Sequence, residues 1–392
     1  MIMAHFGRHS VATLLVVTAA CVPAAAMAGV MTLQPELTIG TEYSTNPQLR
    51  LDGASAGEAA LVRVGLPLEW TNSVDRWALT PRARLGVSGG DSALGANAYY
   101  LSGAGDLSWE VSKLALKAQL SDDSSVVRQP EAGTLTRSDV RQHGVDGSVD
   151  WSRALTERVM IDVAGSLQNA TYGHRPDIGL YDFRVRGVTA EFSRRMSQRI
   201  SLKIVAGRSR YELPDTNYEN VNTYQQAGFF GQMNPQWSFK ALLGRSRVSA
   251  RGARRSPTGA AYVASVNRDG ERVSLAFSFV RNLQPSGFGV MVQARELSTR
   301  ISWGLSERKS LFATARRVTT SDVFGSLTFS ERSYDAASAG VLWQVSPYWD
   351  VNAEASYTRI SIAAGLLDAA SAGRGAGALV SAVRHFGPVR LK

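Results

Sequence analysis

The sequence predicts an all-β chain that closes into an antiparallel transmembrane up-and-down barrel of about 18 strands, with 16 as the lower count. Period-two alternation, connections that are short at one end and long at the other, and aromatic residues gathered near strand ends all point that way. No apolar run of about 18 residues follows the N-terminal segment, so helical membrane spans are excluded. The 392 residues, with 44% apolar side chains and one Cys, also exclude a zinc module, a disulfide miniprotein and a disordered tail.

Residues 1–28 read as an export signal. Arg8 is followed by an apolar stretch from Val11 to Val22, and Ala26-Met27-Ala28 forms a small-x-small cleavage site before Gly29. The expected mature chain, 29–392, is one outer-membrane barrel domain of a Gram-negative bacterium, and Cys21 leaves with the signal. Loss of Arg8 takes the formal charge from +10 to +9. That balance suits anionic partners without identifying one, and nothing points to nucleic acid.

The strands follow from alternation. In Trp77 to Ser88, the residues Trp77, Leu79, Pro81, Ala83, Leu85 and Val87 share one face, and Ala78, Thr80, Arg82, Arg84, Gly86 and Ser88 share the other. Leu114 to Ser121, Val159 to Gln168, Arg272 to Val280 and Val351 to Thr358 repeat the split. Short polar turns are expected near residues 74, 112, 155, 196, 235, 284, 308 and 347, with longer loops between them.

The aromatics separate a membrane barrel from a soluble sandwich, whose strands also alternate. All eight Trp fall beside the short turns: Trp70, Trp77, Trp109, Trp151, Trp237, Trp303, Trp343 and Trp349. Eleven of the twelve Tyr lie toward the long-loop ends, Tyr348 being the exception. Rings with an apolar body and a polar tip favour the two bilayer interfaces, so these are expected membrane-interface residues.

A barrel this wide is not filled by its own side chains, so a water-filled bore is expected. The candidate lumen-lining residues are Arg63, Glu69, Arg82, Arg84, Lys117, Lys203, Lys240, Arg272 and Arg300, joined by Asp106, Asp146, Asp150, Asp162, Glu191 and Glu354. Eight basic residues against seven acidic ones make a nearly balanced wall. Two arrangements remain open: a positive ladder around Arg82 and Arg84 that attracts carboxylates or phosphates, or Arg–acid pairs that stiffen the wall. A second basic group, Arg245, Arg247, Arg251, Arg254 and Arg255, enters a long loop and is expected at the outer mouth, as a solvated loop or a binder of lipopolysaccharide phosphates.

Signals of catalysis are weak. His143, His174 and His385 show no metal-ligand spacing, and Gly53-Ala54-Ser55-Ala56-Gly57 lacks the strand-turn-helix setting of a hydrolase nucleophile. No cofactor, metal or enzymatic activity is expected.

The opening Leu33-Gln34-Pro35-Glu36-Leu37-Thr38-Ile39-Gly40-Thr41-Glu42-Tyr43-Ser44-Thr45-Asn46-Pro47 resembles the first hairpin of porin-like outer-membrane β-barrels associated with exopolysaccharide gene clusters, with Tyr-x-x-Asn-Pro as its most specific part. The resemblance implies a channel taking part in exopolysaccharide secretion. Implied partners are outer-membrane lipid and lipopolysaccharide, the barrel assembly machinery and polysaccharide export proteins. A general diffusion porin is the alternative, and an outer-membrane hydrolase or structural receptor barrel a further one. Barrels of this kind finish on an aromatic residue, whereas here Gly387-Pro388-Val389-Arg390-Leu391-Lys392 follow Phe386.

Overall fold

The computed structural model describes residues 29–47, 56–72, 74–90, 97–124, 141–172, 180–214, 216, 218–250, 256–286, 289–323, 331–363 and 371–391. The export signal read over 1–28, the residues 53–55 of the Gly-x-Ser-x-Gly string, His174, Arg251, Arg254 and Arg255 lie outside the described residues. The chain forms β1 (Val30–Leu33), β2 (Glu36–Ser44), β3 (Gly57–Gly65), β4 (Leu68–Thr71), β5 (Arg76–Gly90), β6 (Ala98–Trp109), β7 (Ser112–Ser124), β8 (Arg141–Thr156), β9 (Val159–Thr171) and β10 (Phe183–Arg195). These are followed by β11 (Ile200–Glu212), β12 (Glu219–Asn234), β13 (Trp237–Ala250), β14 (Thr258–Asp269), β15 (Val273–Pro285) and β16 (Met291–Ser306). The last are β17 (Lys309–Asp322), β18 (Arg332–Ser346), β19 (Trp349–Ile362), β20 (Ser371–His385) and β21 (Val389–Leu391).

Eighteen of these, β2, β3 and β5 to β20, form a closed antiparallel barrel, and β2 completes the ring on β20 from Glu36↔His385 to Ser44↔Gly377. Closure leaves no unpaired edge, the condition for a sheet to stand in hydrocarbon. The three short strands extend the wall at the seam. Pro35, Pro67 and Pro388 interrupt the strands there, because proline lacks the N–H a ladder needs. Their carbonyls remain available: Gln34 N–H donates to Pro67 O and Phe386 N–H to Pro35 O, each at 3.0 Å. Beyond the breaks, β1 pairs with both β4 and β21, so the tail after Phe386 continues the wall.

The Tyr-x-x-Asn-Pro element also works at the seam. Buried Asn46 donates from Nδ2 to Arg374 O at 3.2 Å, Thr45 N–H donates to Ala376 O at 2.8 Å, and Ala376 N–H donates to Thr45 Oγ1 at 2.9 Å. A Cβ on Gly375 would stand 2.9 Å from Asn46 O, so the small residue permits this close approach.

Eight short connections, at 72–75, 110–111, 157–158, 196–199, 235–236, 270–272, 307–308 and 347–348, lie at one end. Four carry a side-chain oxygen that accepts backbone N–H groups two and three residues on, as Asn72 Oδ1 does from Val74 and Asp75 and Asn234 Oδ1 does from Gln236 and Trp237 at 2.9 Å. Thr156 and Ser197 do the same, and a register shift precedes the turns that open on Thr156, Asn234, Ser306 and Ser346. The turn expected near 284 is corrected: it falls at 270–272, and Gln284 stands at the long-loop end of β15. The Pro285-Ser286 composition resembled a short turn but belongs to the opposite mouth, and moving the turn gives both flanking strands full length.

Candidate functional site

Residues directly opposite one another on antiparallel strands share a face, so the assignment passes around the barrel from pair to pair. One face carries Glu42, Arg84, Glu191, Lys203, Glu296 and Arg316, and the other carries exposed apolar residues such as Ile39, Val64, Leu85, Ile204 and Leu243. Tyr211, on the first face of β11, donates its hydroxyl to Ser286 O at 3.1 Å, at the far end of β15. Strands that are not neighbours meet only through the interior, so the polar face lines the bore.

The register puts Arg63, Glu69, Arg82, Arg84, Lys117, Lys203, Lys240 and Arg300 on this inner face. Arg272 lies just before β15, in the turn at 270–272, its carbonyl accepting Gly304 N–H at 2.7 Å, while Ser274, Ala276, Ser278 and Val280 keep the inward phase the alternation predicted. Ion pairing is partial. Arg84 meets Glu42 at 2.9 Å, Arg76 meets Glu69 at 2.5 Å, Arg316 meets Glu296 at 2.8 Å, and Lys203 is bound to Glu191 with Phe230 under its ammonium. Arg63, Arg82, Lys117, Lys240 and Arg300 form no ion pair among the described residues.

Charge is sorted around the circumference, which a count could not reveal. Arg63 stands directly opposite Arg84, with Arg82 two residues along, and among the described residues Glu42 forms its ion pair with Arg84, so β3 and β5 gather three guanidinium groups on the inner face. Asp146 and Asp150 on β8, Asp162 on β9 and Glu191 on β10 line another arc, with Asp162 directly opposite Glu191 and Lys203 as the nearby cation. The two arcs, set apart by β6 and β7, carry unlike sign and create a field within the bore that reaches further where walls of low dielectric confine it.

The mouth at the long-loop end is narrowed from within. β13 and β14 pair up to Arg247↔Thr258, but β14 and β15 pair only as far as Tyr262↔Arg281, which frees the tip of the β15–β16 hairpin to turn inward. A Cβ on inner-face Gly259 would lie 2.8 Å from Gln293 Nε2, so β16 passes inside β14. Met291 at the tip is buried with Ala170, Tyr172, Leu180, Phe183, Tyr211 and Leu213. Phe183 and Tyr211 rings stand 5.8 Å apart, and Tyr218 meets Tyr211 edge-on at 6.3 Å. This apolar bridge ties β9 to β11 to the β15–β16 tip across the opening. Burial raises the Tyr218 hydroxyl pKa above its ordinary value, so it stays protonated there at neutral pH.

The outer wall carries all eight Trp at its short-turn end, where Trp70 faces Trp77 and Trp237 faces Arg268. Trp77 lies over Gly105 of the next strand, covering backbone that a Cβ would displace it from. Lys309 sits 4.8 Å from the Trp343 ring centroid, and Arg384 sits 5.6 Å from that of Trp349. The tyrosines divide differently from expectation. Tyr43, Tyr99, Tyr262 and Tyr357 face outward, but Tyr100, Tyr172, Tyr211, Tyr224 and Tyr334 serve the interior, Tyr100 through a bond to Asp123 and Tyr224 through one to Thr189 at 2.8 Å. Arg245 and Arg247 belong to β13 and point to the outer wall. Among the described residues no group of three or more His, Cys, Asp or Glu side chains is arranged to hold a metal ion.

No protein-family model and no curated protein matches the chain. Among solved structures, OccK2 (OpdF) of Pseudomonas aeruginosa is 12% identical with a TM-score of 0.49, covering 93% of this chain and 98% of that one. The FrpB iron transporter of Neisseria meningitidis is 7% identical with a TM-score of 0.48, covering 91% of this chain and 81% of that one. Similarity at this level assigns no role to any residue, so the bore, its sorted charges and its narrowed mouth have to speak for function by themselves.

Proposed function

We propose that the protein is a passive outer-membrane channel for small hydrophilic solutes. The observation that carries the reading is the closed wall with a charged inner face and an apolar outer face bounded by tryptophan. In this reading the short turns face the periplasm and the long loops the exterior. The arginines of β3 and β5 offer carboxylates and phosphates bidentate partners, the acidic arc of β8 to β10 draws the opposite end of a dipolar solute, and the apolar bridge sets the passing size. No residue acts catalytically.

Refolded protein in planar bilayers is expected to give discrete current steps, and their absence would remove the channel reading. Replacing both Arg82 and Arg84 by Glu should move the reversal potential in a salt gradient toward cation preference. An unchanged potential would place the selective region elsewhere.

The finer reading, secretion of an exopolysaccharide, is supported by the likeness of residues 33–47, whose side chains act at the barrel seam. Deleting the gene should then lower secreted polysaccharide; undiminished secretion alongside lost solute uptake would favour the diffusion porin.

A further inference from the structure

We propose that the outer wall from β10 to β14 binds lipid A of lipopolysaccharide, its phosphates on Arg208, Arg245 and Arg247 and an acyl chain in the groove beside them. The proposal rests on the outer-membrane placement above but not on conduction.

The outward faces of these strands form a cleft of about 550 Å³. Its floor is made of small side chains, with Ala190 directly opposite Ala206, while Val188 borders it beside Arg208. Arg208 and Arg247 flank Thr223 on neighbouring strands, and Arg245 lies two residues nearer the short-turn end than Arg247. Toward the short turns the outward residues continue as Ala206 and then Ile204 on β11 and as Leu243 on β13, with Ile204 47% and Leu243 71% exposed, so the arginines stand on the boundary between polar and apolar wall.

These three guanidinium groups form no ion pair among the described residues. Three other arginines near this end of the outer wall are neutralised, Arg210 by Glu212 at 2.5 Å and Glu219 at 2.9 Å, Arg141 by Asp122 at 2.7 Å, and Arg317 by Asp335 at 3.5 Å. Arg186, Arg281, Arg295, Arg359 and Arg374 form no ion pair among the described residues but do not border the cleft. Unpaired arginine at a lipid boundary favours a phosphate, which it can bind through two parallel N–H···O bonds.

The spacing selects the kind of lipid. Two strand intervals separate Arg208 from Arg247, roughly 10 Å between backbones. A bisphosphorylated disaccharide can engage both sides while its acyl chains descend over the alanine floor and the apolar residues below. A phospholipid brings a single phosphate to that pair, where lipid A brings two.

The test is native mass spectrometry of the full protein in neutral detergent, titrated separately with purified lipid A, phosphatidylglycerol and inorganic phosphate. The wild type should retain lipid A in preference to phosphatidylglycerol, and inorganic phosphate should not displace it. The R208Q/R245Q/R247Q variant should bind lipid A at least about tenfold more weakly, as expected for losing charge-assisted hydrogen bonds. Its heat-modifiable migration on gels and its current steps should match the wild type, showing that the barrel is intact. Equal lipid A binding by the variant, equal retention of phosphatidylglycerol, or displacement by phosphate would each overturn the proposal. Should the triple variant misfold, R208K/R245K/R247K keeps the charge without the planar fork, and binding as tight as the wild type's would overturn the bidentate site. Current steps without lipid A binding sink this proposal alone, whereas lipid A binding without current steps sinks the channel reading alone.

Discussion

Ala339→Arg is expected to destabilise the barrel by about 2–4 kcal/mol in lipid, whereas Ser338→Arg, one residue away, leaves it folded. Ala339 faces outward on β18, midway between Trp343 and Asp335, and stands opposite Ala313 and Ala355 on the flanking strands. A guanidinium there meets hydrocarbon and has no nearby polar wall to reach. Ser338 faces the bore, where its hydroxyl shares a 2.8 Å hydrogen bond with Thr314. Losing that bond costs about 0.5–1.5 kcal/mol, and the introduced charge remains hydrated. Urea unfolding of each variant in phospholipid vesicles measures the difference. Equal destabilisation by both would mean that the two faces meet the same surroundings, which a membrane barrel with a wet interior forbids.

The double substitution of Tyr211→Ala and Met291→Ala is expected to raise single-channel conductance severalfold while the barrel stays closed. Tyr211 is 1% exposed and Met291 2%, and they join opposite sides of the apolar bridge. Truncating a buried aromatic costs about 3–5 kcal/mol and a buried Met about 2–5 kcal/mol, enough to release a tip whose attachment is mainly side-chain packing. The wall does not share the loss, since its ladders continue from β14 through β17 below the released segment. Current recordings would show larger steps and less discrimination by solute size. Conductance equal to wild type would locate the narrowest part of the path away from this bridge.

Both expectations draw on features that were unequally legible in the chain. Which face Arg82 or Leu85 occupies is set by a two-residue period along one strand, and nothing distant can alter it without turning every neighbour over. The tryptophan positions followed for the same reason, being outward residues next to turns. The side-chain-capped turns at Asn72, Thr156, Ser197 and Asn234 carried a recurrent local signal, but the turn at 270–272 is closed by Gly270 N–H donating to Val273 O and lacks that signal, which is why the Pro285-Ser286 segment could be mistaken for it.

By itself, then, the order of residues determined a barrel, its strand number to within two, its wet and dry faces and its tryptophan girdle, all properties of short segments. Only the tertiary structure decided that Arg63, Arg82 and Arg84 occupy an arc separate from the acidic one, that several tyrosines serve the interior, that Arg245 and Arg247 face outward beside Arg208, and that one hairpin folds into the bore. Those outcomes depend on which strands become neighbours around a closed ring and where one strand parts from the next. Hydrogen bonding between segments far apart in the chain sets both, and alternation within a strand carries no information about either.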